Sequence, residues 1–173
     1  MQDQDFKDLM TGVCAPVTVV TTADDDGPHG ATVSSFAALS LQPPLVTVGL
    51  DRRSALLARI LSSGRFAVNV LASSDDELAL LFATRGEDRF GQVFWSLSRG
   101  LPRLDSAAGW AVCDVQQVVE GGDHLLLVGL VTHAESSHLS PLVYGHRTFG
   151  THSRFAERKR PNIVDIIAAA RAC

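Results

Sequence analysis

The sequence predicts a mainly β fold with peripheral helices, a Greek-key β-barrel with the helices packed outside it. Three observations predict it: β-branched runs outnumber helical patterns, neighbouring runs can pair antiparallel across Gly- or Pro-containing turns, and no Gly-rich βαβ fingerprint is present.

Asp5 to Gly12 has the pattern of a short helix stopped by Gly12, and Pro16-Val17-Thr18-Val19-Val20-Thr21-Thr22 is β-branched enough for a strand. Asp24-Asp25-Asp26-Gly27-Pro28 reads as a turn. Residues 30–37 and 44–50 are two further expected strands, separated by Pro43-Pro44 because proline cannot donate to a ladder. Leu56, Leu57, Ile60 and Leu61 recur at helical spacing between Ser54, a natural N-cap, and Gly64, a natural stop. A strand from Phe66 to Leu71 follows.

Asp75, Asp76 and Glu77 fall in the first turn of a helix through Phe82, where acids complement the positive end of the dipole; their role is structural. Residues 84–100, holding Phe90, Phe94 and Trp95, show no clear period and read as a surface excursion. The runs 110–119 and 124–132 flank Glu120-Gly121-Gly122-Asp123, a strong hairpin signal. Leu125 to Val131 is apolar at both alternating sets of positions, so both faces of that strand should be covered. After Pro141-Leu142-Val143-Tyr144 the chain turns and passes the basic Arg158-Lys159-Arg160. A last helix is expected over about 162–172, with Asn162 as N-cap and Ile163, Ile166, Ile167 and Ala170 on one face.

With 173 residues the chain is expected to form one domain, burying about 70% of its unfolded surface. A formal charge of −4 argues against bulk nucleic-acid binding, yet local arginines can still hold a small anion. Met1-Gln2-Asp3-Gln4-Asp5 lacks the basic start and apolar stretch of a signal peptide, and no apolar run approaches ~20 residues. A cytoplasmic protein without membrane association is therefore expected. Cys14, Cys113 and Cys173 are widely spaced and odd in number, a pattern of neither structural disulfides nor a zinc site.

Chemistry-bearing residues gather in three places. Gly30-Ala31-Thr32-Val33-Ser34-Ser35-Phe36, with Ser40 soon after, studs an extended segment with hydroxyls beside a core strand, a place to hold a polar, multi-oxygen ligand. Asp51-Arg52-Arg53-Ser54 lies between a strand end and a helix start, where free N–H groups, the dipole and guanidinium forks favour an anion. His124 directly follows the hairpin turn and can project into a cleft. No nucleophile–base pair and no metal cluster is evident.

Several blocks in the same order resemble the flavin reductase family, the small NAD(P)H:flavin oxidoreductases that serve two-component monooxygenases. They are Val17-Thr18-Val19-Val20-Thr21-Thr22, Gly30-x-Thr32-x-Ser34-Ser35-Phe36, Ser40-Leu41-x-Pro43-Pro44-Leu45-Val46, Phe66-Ala67-Val68-Asn69-Val70-Leu71, Gly122-Asp123-His124 and Pro141-Leu142. The resemblance runs from about Phe6 to Phe149 and implies an FMN-binding split barrel that forms a homodimer. It implies FMN or FAD as the flavin, NADH or NADPH as hydride donor, and a partner monooxygenase that receives reduced flavin. Thr32, Val33, Ser34, Ser35 and Ser40 match flavin-contacting positions, as do Phe82 and Ala83. Asp51, Arg52, Arg53 and Ser54 match the phosphate site. His124, the one candidate catalytic residue, matches a position near the nicotinamide, and Phe149 a late aromatic of the pyridine-nucleotide site. Leu56 and Leu125 stand where many relatives carry a hydroxyl, and Gly145 and Arg147 depart from the family's common residues. Two other readings keep flavin: an oxidase with a permanently bound flavin, and a non-enzymatic redox sensor.

Overall fold

A computed structural model of the chain describes residues 3–84, 86 and 88–151. The chain opens with a helix, α1 (Asp3–Thr11), and a short strand, β1 (Ala15–Pro16). The hairpin β2 (Thr18–Asp24) and β3 (Gly27–Val33) follows, then a second hairpin, β4 (Ala37–Leu41) and β5 (Pro44–Asp51). α2 (Ala55–Ser63), β6 (Arg65–Val70) and α3 (Asp76–Ala83) come next. The remaining strands are β7 (Trp95–Ser98), β8 (Leu101–Leu104), β9 (Gly109–Gly121), β10 (His124–Ser136), β11 (Val143–Gly145) and β12 (Thr148–Gly150).

Seven strands form one antiparallel sheet in the order β3-β2-β6-β9-β10-β5-β4. Its two edge strands, β3 and β4, are consecutive in the chain and joined through Ser34-Ser35-Phe36, so the curled sheet brings its edges together without closing a ladder between them. The result is a split barrel. Val20, Val33, Val48, Phe66, Val68, Cys113 and Leu127 fill its interior, and α2 packs Leu56, Leu57 and Ile60 onto the same core. Close packing has a visible backbone requirement at Gly129, where an added Cβ would stand 2.6 Å from the Phe66 ring.

A second apolar cluster joins α3 to the barrel's outer side through Val17, Val19, Leu71, Ala79, Phe82 and Leu104. The β7–β8 hairpin is tied there by a buried polar stitch. Thr21 Oγ1 donates to the Pro102 carbonyl at 2.7 Å, and the Leu104 N–H donates to Asn69 Oδ1 at 2.9 Å. Asn69 Nδ2 in turn donates to the Val19 carbonyl at 3.2 Å, so the buried amide is satisfied on both sides.

Local signals anticipated much of this. Ser54 caps α2, its hydroxyl accepting from the Leu57 N–H, and Gly64 ends the helix at φ 69° in the left-handed region. Other details differ. The strand expected over 30–37 stops at Val33, and Ser34 and Ser35 sit in the link to β4. β4 fills the stretch between the two expected strands, while Pro44 begins β5 as expected, paired with Leu41 across a turn that holds a cis Gln42–Pro43 bond. The excursion at 84–100 holds a 3-10 turn at Phe90–Gln92 and then β7, half of a hairpin whose turn places Arg99 and Gly100 at positive φ. The C-terminal helix expected over 162–172 lies outside the described residues. Among those residues no helix is long and apolar enough to cross a membrane.

Candidate functional site

A pocket of about 810 Å³ opens along β3, between the start of α2, the end of α3 and the tip of β10. Each wall has a local cause. Gly30 on β3 lets the Phe82 ring lie against the strand, for an added Cβ would meet Phe82 Cε1 at 3.0 Å. Thr32 Oγ1 donates to the Ala79 carbonyl at 2.7 Å and fixes α3 to β3. Phe82 then meets Phe90 edge-on at 5.1 Å, and Phe90 meets Trp95 at 5.3 Å, giving the α3 side an aromatic backing.

The hydroxyl segment divides its labour. Ser35 Oγ donates to the Gly49 carbonyl at 2.7 Å and accepts from the Gly49 N–H at 3.0 Å, so its hydrogen-bonding capacity goes into the barrel. The Ser34 hydroxyl, exposed at the pocket wall, has no partner among the described residues. It is the hydroxyl left free to meet a ligand.

At the other end stands the start of α2. The Leu57 N–H is taken by the Ser54 hydroxyl at 3.4 Å and that of Ala58 by the Ser54 carbonyl at 3.3 Å, while Ala55 and Leu56, both at the pocket wall, carry the remaining first-turn donors. Arg53 forks onto Asp51, with Nε 3.2 Å from Oδ1 and Nη2 2.9 Å from Oδ2. This bond holds the Asp51 carboxyl well below the ordinary carboxylate range and raises the Arg53 guanidinium in return. Positive character here thus comes from the helix start and a guanidinium already shared with a carboxylate.

His124 opens β10 at the pocket rim, its Cα facing Asp51 of β5. Its Nδ1 lies 2.8 Å from Asp123 Oδ1, a contact that lowers the Asp123 pKa. Further along, Arg59 of α2 pairs with Asp24 and lies 3.2 Å from Asp26, and His29 Nε2 is 2.9 Å from Asp24 Oδ1.

Of the residues singled out in the sequence, Thr32, Val33, Ser34, Ser35, Asp51, Arg53, Ser54, Phe82, Ala83 and His124 meet at this pocket. Three stand apart from its lining. Ser40 is on β4, its hydroxyl accepting from the Gln42 N–H at 3.2 Å. Arg52 points to the β9–β10 turn, with Nε donating to the Gly122 carbonyl. Phe149 is on β12, 5.1 Å from Tyr144, and packs on the second apolar cluster.

His29, Arg59, Arg89 and Phe90 line the pocket without a motif to announce them. Arg89 Nη1 donates to the Gly30 carbonyl at 2.6 Å and Nη2 to the Thr84 carbonyl, strapping the segment after α3 to β3. A lone arginine in an aperiodic stretch carries no local signal of such a partner.

The model of the flavin reductase like domain matches residues 10–153. The chain belongs to that family. It is 38% identical over 149 residues to the flavin reductase (NADPH) of Lentzea aerocolonigenes, covering 84% of this chain and 87% of that one. With the reductase component of the flavin-dependent trigonelline monooxygenase of Acinetobacter baylyi it shares 38% over 141 residues, 80% of this chain and 44% of the relative. The chain spans about half the length of the first curated relatives it matches. The solved Streptomyces globisporus NADH:FAD oxidoreductase, in complex with NAD and FAD fragments, superposes with a TM-score of 0.83 at 28% identity, covering 87% of this chain and 93% of that one. The flavin reductase fold thus frames the pocket.

Proposed function

We propose that this protein catalyses NAD(P)H-dependent reduction of FMN or FAD and passes the reduced flavin to a partner monooxygenase. The observation that carries the reading is the convergence on one pocket of a free hydroxyl at Ser34, an aromatic-backed wall at Phe82, the donor-bearing start of α2 and His124. These residues fit a flavin: an extended wall for the ring system, a hydroxyl ledge for a polyol chain and an anion pole for its phosphate. Bound flavin supplies the redox chemistry by accepting a hydride from the nicotinamide.

The chain's own share is positioning. Thr32, Val33, Ser34 and Ala83 border the ring and polyol, while Arg53, Ser54 and the first N–H groups of α2 hold the phosphate. His124 borders the nicotinamide. Because no side chain must act as nucleophile, the lack of a triad in the sequence is consistent with an enzyme.

The same reading makes the protein a cytoplasmic homodimer. Val119, Leu126 and Gly49 form one cross-strand row, and both apolar side chains are exposed, as are Leu39 and Leu41 on the edge strand β4. Light scattering of the full chain tests it; a monomer overturns it.

A steady-state assay crossing NADH and NADPH with FMN, FAD and riboflavin tests the activity. Turnover with at least one pair is expected, and its absence with every pair overturns the proposal. Flavin retained stoichiometrically through purification would instead favour a resident prosthetic group.

A further inference from the structure

Arg52 and Arg53 are adjacent in sequence and part company in space. Arg53 turns to the pocket and Asp51. Arg52 turns the other way: its Nε donates to the Gly122 carbonyl at 2.9 Å, its Nη2 stands 3.5 Å from Glu120 Oε2, and its backbone N–H donates to the Asp123 carbonyl at 3.0 Å. Two of these contacts fall on the Gly122-Asp123 turn and the third on Glu120 near the end of β9, all within four residues of His124. Gly122 sits at φ 65°, and Asp123 supplies both the carbonyl that Arg52 grips and the carboxylate that meets His124 Nδ1 at 2.8 Å.

We propose that Arg52 is a positioning residue that acts through His124. By clamping the β9–β10 turn to the β5–α2 corner, it fixes where the Asp123 carboxylate and the His124 ring stand at the pocket rim. The functional consequence rests on the reading that His124 faces the nicotinamide. Arg52 is thereby separated from the phosphate pole, although it sits between Asp51 and Arg53 in the chain. The corner serves both halves of the site, with Arg53 and Ser54 on its pocket side and Arg52 on its turn side.

Arg52→Met tests this, since it removes the guanidinium but keeps an apolar stem and the backbone N–H. In the ligand-free protein, amide exchange at position 52, the donor to Asp123, should quicken about fivefold after correction for intrinsic rate, as expected for loss of one exposed charge-assisted bond. Exchange in β2 and β6 should not change. With the active protein, the KM for the pyridine nucleotide should rise as it does in His124→Ala, with the flavin Kd unchanged. In a His124→Ala background, Arg52→Met should add nothing further to that KM.

Unchanged exchange at position 52 overturns the clamp. A flavin Kd raised more for FMN than for riboflavin overturns the assignment by placing Arg52 at the phosphate, and a full KM increase in the His124→Ala background overturns action through His124. If His124→Ala leaves the nucleotide KM unaltered while exchange still quickens, the clamp stands and the role given to His124 falls.

Discussion

Ser35 and Gly49 are joined twice, the serine hydroxyl donating to the glycine carbonyl and accepting from its N–H. Strand β4 last pairs with β5 at Thr47, so Gly49 lies beyond the ladder and one side chain does the work of the missing strand. Ser35→Ala should therefore cost about 1 kcal/mol and lower the melting temperature by ~2–4 °C. Ser34→Ala should leave the melt unchanged and weaken flavin. A thermal melt and a flavin titration on both variants check this; equal behaviour of the two serines refutes the division.

Arg53→Ala should weaken FMN about tenfold and riboflavin hardly at all, because only the phosphorylated ligand uses the anion pole. The lower end of a charge-assisted bond is expected, since Asp51 already shares the guanidinium. Ser54→Ala should add a loss of about 1 kcal/mol in stability from the α2 cap, which Ser54→Gly largely spares. Fluorescence titrations with the two flavins, beside melts, separate binding from capping.

Asp51 is held below its ordinary value of 3.8 by the Arg53 bond, and Asp123 below its own by His124. A depressed folded-state pKa means that the unfolded chain takes up protons first as pH falls. The Asp51 contribution, made with an arginine that stays charged, is thus complete above about pH 4 and is lost progressively below it. Melting temperature should be flat from pH 7 to about 5 and fall below about 4, less steeply in Asp51→Asn. A matching fall in that variant refutes the role of the pair.

Gly30→Ala puts a methyl 3.0 Å from Phe82 Cε1 and 3.2 Å from Thr21 Cγ2, both in buried, well-packed side chains. Overpacking of this kind costs ~1–3 kcal/mol. Displacing Phe82 also moves the pocket wall, so stability and flavin affinity should drop together. A variant that melts normally and binds flavin normally would show that the wall has slack.

How far the sequence foretold the molecule depended on the range of the cause. The α2 boundaries were legible because Ser54 and Gly64 act within one turn, and the β9–β10 hairpin because its glycines mark the turn directly. β7 and β8 were not, for the alternation of Trp95–Ser98 runs over only four residues and its hairpin turn uses Arg99 as well as Gly100 at positive φ. Hydroxyls at 32–35 were recognisable as a group, but which were free depended on Gly49 and Ala79, far along the chain. The same limit applies to the arginine pair. Residue type suggested an anion site for both, and only the position of the Gly122 turn sends Arg52 the other way.

Arg89, which straps the segment after α3 to the Gly30 carbonyl, also bears on solubility. β3 is an edge of the seven-stranded sheet, and an open edge is a template on which a strand of another molecule can add. The guanidinium occupies one of that edge's acceptors, and α3, bonded through Thr32, covers a neighbouring stretch. The opening that admits a ligand beside β3 is therefore guarded against strand addition, so a small planar molecule can enter where a second polypeptide is turned away.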